Sequence, residues 1–163
     1  MVRRKRMYTE RCSEKLKAMG APLVGWYCEE VIDWGEATFT CELCGYKNVR
    51  FVHVMVHKDF SEKLRVGCIC AGNLEGDIFA AKVRDKEARA KSRRKKNFLK
   101  KEWREESGML TLRFKNQKLT IEQDSFLGRS YFKIDIDGDC YQWKNNRRIE
   151  TLTAAKEYIF ELL

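Results

Sequence analysis

The chain has 163 residues, 44% of them apolar, which is enough for a modest core in one or two small domains. No apolar run approaches the roughly 18 residues of a transmembrane helix, and the basic start MVRRKRMY lacks the hydrophobic segment of an export signal. Seven cysteines, an odd number with four in two short pairs, are typical of metal-bound thiols in a reducing compartment, so we expect a cytoplasmic protein without a membrane partner.

The first forty residues predict one helix and two strands. The helix is expected over Thr9–Met19, where Gly20 and Pro22 would end it. The strands are expected within residues 23–39, on either side of a turn at residues 33–35. Three aromatic side chains would cover the hairpin that follows: Trp26, Tyr27 and Trp34.

Two short cysteine pairs carry the clearest chemical signal. Cys41 and Cys44 form a C-x2-C pair followed by Gly45, and Cys68 and Cys70 form a C-x-C pair after a gap of 23 residues. Because tetrahedral Zn²⁺ takes four thiolate or imidazole ligands, this spacing predicts one structural zinc ion held by all four cysteines. Gly45 can adopt the positive φ that a tight knuckle turn requires.

The ligand set has alternatives. The C-x-C pair is tighter than the C-x2-C usual at the start of a ligand-bearing helix, so His53 or His57 can replace Cys68 or Cys70. The four cysteines remain the favoured set, since a strand histidine is more often a core or surface residue. Cys28 fits a small buried hydrophobic residue better than a spare ligand.

The residues between the two pairs predict a β-hairpin. The segment NVRFVHVMVH alternates between two faces, as a strand does, and Lys63–Val66 would return the chain to the knuckle. A helix would then begin near Asn73. Knuckle, hairpin and helix together predict a treble-clef arrangement.

The motifs CELCG, VRFVHVMVH and VGCICAG, taken together, resemble those of a group of small treble-clef zinc-finger proteins from bacteria, phages and plasmids. The likeness covers about a fifth of the chain closely. It implies a zinc fold and a mobile-element or nucleic-acid setting, and it implies no catalytic activity.

A long helix is predicted over about residues 74–106, and residues 81–107 form its basic part, a helix or a linker between two domains. From Lys82 to Arg104 there are twelve Lys or Arg and three Asp or Glu, which accounts for the whole net charge of +9. Side chains this basic repel one another unless a polyanion neutralises them, so the segment predicts contact with DNA or RNA. The candidate contact residues are Arg84, Arg89, Lys91, Arg93, Arg94, Lys95, Lys96, Lys100, Lys101 and Arg104.

Residues 108–163 predict a small antiparallel sheet covered by one helix. The segments MLTLRF and SYFKIDI alternate like strands, and Asp137–Gly138 and Asn145–Asn146 are turn signals. Thr151 would cap the last helix. With a zinc domain over residues 1–80, the predicted class is α+β: an N-terminal treble clef, a long basic helix and a C-terminal sheet with one helix.

Three functions are compatible with this pattern. The favoured one is a zinc-stabilised nucleic-acid-binding protein of a phage, plasmid or bacterium, which contacts phosphates through the basic helix. The second is a scaffold or inhibitor that docks a host or phage protein. The third, a metal-dependent nuclease, is disfavoured because four thiolates would close the zinc site and no carboxylate stands at a metal-binding offset from His53 or His57. We therefore expect a binding protein rather than an enzyme.

Overall fold

The computed structural model describes the backbone of residues 2–163 and the side chains of residues 10–163. Over this range the protein is α+β, with four helices and small antiparallel sheets. It divides into two compact units, one extending to Ser92 and the other comprising Arg93–Leu163. In the part of the chain so described, no helix is both long and apolar enough to cross a membrane.

The first unit is built on a three-stranded sheet. Its elements are α1 Val2–Ala18, β1 Tyr27–Asp33, β2 Phe51–His57, β3 Phe60–Val66, α2 Cys68–Glu75 and the start of α3, Ile78–Leu99. The strands pair antiparallel in the order β1-β2-β3, so β2 is central. Both alternating faces of β2 are buried from Phe51 to Met55, and α2 packs against β1 and β2. Of the two strands predicted within residues 23–39, only β1 forms, and Phe39 makes an isolated bridge with Val49.

A sharp corner separates α2 from α3, where the sequence predicted one continuous helix. Gly76 ends α2 with φ +76°, and the Asp77 carboxylate accepts a hydrogen bond from the Ala80 N–H at 2.9 Å, which starts α3. A Cβ atom on Gly72 would lie 2.6 Å from the Ile78 Cα, so the two helices approach at a distance that only glycine permits.

The second unit is a five-stranded sheet with one helix against it. The elements are the end of α3, β4 Arg104–Glu106, β5 Met109–Phe114, β6 Gln117–Phe126, β7 Arg129–Ile136, β8 Asp139–Tyr141, β9 Trp143–Lys144, β10 Arg147–Arg148 and α4 Leu152–Leu162. Strands β4 to β8 pair antiparallel in chain order, and β9 pairs with β10. Helix α4 packs against β7, and Phe98 of α3 is 1% exposed within the same core.

Two-residue turns set the registers of this unit. Asp137 and Gly138 have φ +52° and +101°, which joins β7 to β8 with Ile136 opposite Asp139. Asn145 and Asn146, with φ +51° and +62°, join β9 to β10. Positive φ at both central positions matches the right-handed twist of the flanking strands. Both predicted turns are confirmed, and so is the cap of α4, since Thr151 accepts a hydrogen bond from the Ala154 N–H.

Candidate metal centre

A knuckle turn carries the first cysteine pair. The Cys41 N–H donates to the Tyr46 carbonyl at 2.8 Å, and the Gly45 N–H donates to the Cys41 carbonyl at 2.9 Å. Gly45 has φ +74°, as the sequence predicted, and nothing lies within 4 Å of the Cβ position it leaves empty. The positive φ, rather than a lack of space, is therefore the reason for glycine here.

Glu42 fixes this knuckle to strand β3. Its carboxylate accepts hydrogen bonds from the Arg65 side chain, from Nε at 2.9 Å and from the terminal nitrogen at 2.7 Å, and from the Arg65 backbone N–H at 2.7 Å. The Glu42 N–H in turn donates to the Arg65 carbonyl at 3.0 Å. Strand β3 leads directly into α2, so this clamp holds the knuckle close to the start of that helix.

Three cysteines meet between the knuckle and α2. The sulfur atoms of Cys41, Cys44 and Cys70 all lie within 4.8 Å of one another, and those of Cys41 and Cys70 are 3.5 Å apart. Two thiolates on one tetrahedral zinc ion would be about 3.8 Å apart, given zinc–sulfur bonds of about 2.3 Å. The cluster can therefore hold a metal ion.

Hydrogen bonds lower the pKa of the Cys41 thiol. The Cys70 thiol is the main cause that lowers the pKa of Cys41, and backbone N–H groups, including that of Gly67 at 3.5 Å, act in the same direction. A thiol with a lowered pKa is more readily present as the thiolate, which is the form that binds metal ions.

Cys68 lies apart from this cluster, although the sequence predicted it as the fourth ligand. The Cys68 sulfur lies instead near a ring nitrogen of His53 and a carboxylate oxygen of Asp85. These three atoms are again within 4.8 Å of one another. The separation follows from helix geometry, since residues two apart on a helix point to different sides and both Cys68 and Cys70 belong to α2. The four predicted ligands thus divide into a group of three and a single residue.

Both ring nitrogens of the other histidine, His57, are engaged by backbone groups of the first unit. The ring Nε2 of His57 lies 3.0 Å from the Val24 carbonyl, and its Nδ1 accepts a hydrogen bond from the Asp59 N–H at 3.0 Å. Both nitrogens are occupied, and His57 joins neither cysteine group. It packs against Trp26, which is 3% exposed, while Tyr27 and Trp34 are 58% and 47% exposed.

Asp85 is the site residue that sequence analysis missed. It stands 17 positions after Cys68, on the far side of the Gly76 corner, so no short motif connects it to the cysteines. The one available signal was the pair Gly76–Asp77, a helix stop followed by a helix cap, which marks the corner that folds α3 back.

The basic residues predicted to contact nucleic acid differ in their partners. Arg84 pairs with Glu75, Arg89 Nε lies 2.6 Å from Asp85, and Lys95 Nζ lies 3.0 Å from Glu157. Lys101 lies over the Phe114 ring. The others form no ion pair with any residue whose side chain is described, and all are exposed: Lys91, Arg93, Arg94, Lys96, Lys100 and Arg104.

Comparison with known proteins adds no relative: the chain matches no protein-family model, no curated protein and no solved structure.

Proposed function

We propose that this chain is a zinc-stabilised nucleic-acid-binding protein that contacts phosphates through α3. The observation that carries the proposal is the concentration of uncompensated charge on that helix. Besides the exposed basic residues above, Lys82 and Lys86 are exposed and form no ion pair with any described side chain. The chain outside residues 82–104 is neutral on balance.

Helix geometry supports a phosphate-binding face. Lys82, Lys86, Arg93 and Lys96 follow one another at steps of four, seven and three residues, and such positions lie on the same side of a helix. Like charges at these spacings destabilise a helix unless they are neutralised, and a phosphate backbone neutralises them along its length. Contacts of this kind position a protein on nucleic acid and do not read its sequence.

Three of the predicted contact residues have a different role in this proposal. Arg84 and Lys95 pair with carboxylates of α2 and α4, so they fix α3 to its surroundings rather than bind phosphate. Arg89 pairs with Asp85 within α3, and this ion pair already neutralises its charge. Arg104 lies in β4, outside this helix. The proposed phosphate contacts are the exposed, unpaired basic residues of α3 and the lysine that directly follows it: Lys82, Lys86, Lys91, Arg93, Arg94, Lys96 and Lys100.

Zinc is the metal we propose for Cys41, Cys44 and Cys70. A soft, largely buried set of thiols matches structural zinc, whose binding free energy contributes directly to folding in small domains. The order of knuckle, β2–β3 hairpin and α2 also supports a treble-clef description. Elemental analysis of protein purified without added metal tests the identity of the ion.

Charge removal on α3 tests the proposed function. Replacing Lys91, Arg93, Arg94 and Lys96 by Gln keeps helix propensity nearly constant and removes four positive charges. We expect binding to single- and double-stranded DNA and RNA to weaken about tenfold or more, an effect of about 1.4 kcal/mol, for all sequences alike. Fluorescence anisotropy with labelled oligonucleotides measures the effect.

A control with the same charge change uses exposed lysines outside α3: Lys15, Lys17, Lys47 and Lys58 replaced by Gln. It should bind nearly as the unaltered protein does. Equal losses in the two variants would mean that only net charge matters. Absence of binding to every nucleic acid would favour the scaffold function, with the exposed Tyr27 and Trp34 as its first candidate anchors.

A further inference from the structure

His53 is a fully buried polar residue at the centre of the first unit. Its side chain is 0% exposed in strand β2, and burial away from water favours the neutral imidazole. A neutral imidazole carries a proton on one ring nitrogen and a lone pair on the other. The neighbours of the ring determine which nitrogen carries the proton and which carries the lone pair.

Cys28 assigns the proton to Nδ1. The Cys28 thiol donates its single hydrogen to the Glu30 carbonyl, 3.3 Å from the sulfur. The same sulfur lies 3.9 Å from His53 Nδ1, and it can only accept there because its hydrogen is already used. With the thiol hydrogen placed on the Glu30 carbonyl, we assign the proton to Nδ1 and the lone pair to Nε2.

The lone pair of Nε2 faces other electron donors. Nε2 has no hydrogen-bond partner among the described residues, and it lies 3.6 Å from Asp85 Oδ1. That separation is too long for a hydrogen bond, and the Cys68 sulfur completes the group within 4.8 Å. A buried lone pair that faces a carboxylate is unfavourable unless a proton or a cation lies between them.

The separations suit a metal ion. Nitrogen and oxygen ligands at 2.0–2.2 Å from a tetrahedral zinc ion are about 3.4 Å apart, close to the distance between His53 and Asp85. Asp85 is also oriented for this role, because Arg89 holds its Oδ2 at 2.6 Å and leaves Oδ1 toward His53. Arg89 itself lies over the Phe51 ring, 4.7 Å from its centroid.

We propose that His53 Nε2, Cys68 Sγ and Asp85 Oδ1 bind a second divalent metal ion, separate from the one at Cys41, Cys44 and Cys70. A mixed nitrogen, sulfur and oxygen set fits Zn²⁺, with one coordination position left for water or an external ligand. Cys28 acts as the outer partner that fixes the imidazole tautomer. The C-x-C pair thus supplies one ligand to each of two ions. This inference goes beyond the proposed function and does not depend on nucleic-acid binding.

Metal stoichiometry of the full chain tests the proposal. Metal-free protein is titrated with Zn²⁺ and examined by native mass spectrometry, and Co²⁺ replaces Zn²⁺ for absorption spectra. The unaltered chain should bind two ions. Cys68→Ser and Asp85→Asn should each bind one, while Cys41→Ser should lose the other. Cys28→Ala should weaken the second ion about 10- to 100-fold and leave the first unchanged.

Two matched controls keep the test specific. Asp59→Asn and Cys140→Ser remove an exposed carboxylate and an exposed thiol that belong to neither group, and both proteins should bind two ions. Asp85→Asn decides the case if Cys68→Ser does not fold, as circular dichroism would show. One ion per unaltered chain, bound equally well after Asp85→Asn, would overturn the second site. Loss of the same ion in Cys68→Ser and Cys41→Ser would overturn it too, and would restore the four-cysteine set.

Discussion

Individual cysteines in this protein differ in what surrounds the sulfur. Hydrogen bonding with the Cys70 thiol and with backbone N–H groups lowers the pKa of Cys41, whereas burial raises the pKa of Cys28 and Cys68. A buried thiol without such donors stays protonated until a base accepts its proton or a metal ion displaces it. Cys28 and Cys41 therefore have different chemistry: the Cys28 sulfur accepts a hydrogen bond from a histidine, and Cys41 is a candidate metal ligand.

Asp124 provides a pH prediction for the second unit. The Lys133 ammonium at 2.5 Å, with the Tyr131 hydroxyl at 2.8 Å, lowers the pKa of Asp124 from 3.8 to about 2. A carboxylate with a lowered folded-state pKa stabilises the protein above its unfolded pKa, and this stabilisation is lost as pH falls through the folded value. We therefore expect Asp124→Asn to destabilise the unit at pH 5, with a smaller difference from the unaltered protein at pH 2.

Thermal unfolding of the full chain between pH 5 and pH 2 measures this effect. The control is Asp139→Asn, which removes an exposed carboxylate from the same sheet without touching Asp124. The control should follow the pH dependence of the unaltered protein. An Asp124→Asn protein with the same pH dependence as the unaltered protein would show that the Lys133 pair is fully screened by solvent.

Among the elements, the α2–α3 corner positions Asp85, and Gly72 permits that corner. In Gly72→Ala the new Cβ would meet the Ile78 Cα at 2.6 Å and its Cγ1 at 3.0 Å, so the helices must separate. Overpacking of this kind costs about 1–3 kcal/mol. We expect a lower free energy of unfolding for the first unit, measured by chemical denaturation.

Gly67→Ala is the matched control for that corner. Gly67 precedes α2 with φ −75°, and a Cβ there would meet only Val49 Cγ2 at 3.4 Å. Its cost should stay below about 1 kcal/mol, the usual effect of a change at a helix cap. If Gly72→Ala costs no more than Gly67→Ala, the close approach of the two helices does not contribute to stability.

Helix boundaries decided which part of the site could be predicted. The sequence placed the start of the ligand-bearing helix near Asn73, but α2 begins at Cys68 after Gly67, whose missing side chain gives no capping signal. If the helix is known to start at Cys68, both cysteines of the C-x-C pair are helical. Their side chains are then expected to point to different sides of α2 rather than to one metal site. The position of Asp85 beside His53 depends on tertiary packing, which no spacing in the chain encodes.

Elements with strong local signals were predicted well. The Asp137–Gly138 turn and the Thr151 cap depend on residues within three positions of each other, and both form as expected. The end of the long helix was placed too late, at Glu106 instead of Leu99. Helix propensity is high through this segment, but Arg104–Glu106 pair with β5, and this tertiary pairing overrides the local preference.

At the scale of the whole molecule, the positive charge is concentrated in one segment of the chain, and the thiols that could hold a metal ion lie before it. The thiol cluster lies in the first unit, and the excess positive charge lies between Lys82 and Arg104, a segment that also contains Asp85 of the His53 group. In this account the metal ions maintain the fold of the first unit, and α3 provides the surface for phosphates. Such a surface binds by counterion release, which makes affinity depend on salt.

The salt dependence of nucleic-acid affinity tests the central claim most directly. About six phosphate contacts from α3 predict a slope of roughly −5 for log affinity against log salt on duplex, at about −0.9 per contact, and a shallower slope on single strands. Neutralising Lys91, Arg93, Arg94 and Lys96 should reduce that slope by about 1 per residue removed. Micromolar or tighter binding that is unchanged between low and high salt would contradict phosphate contact through α3.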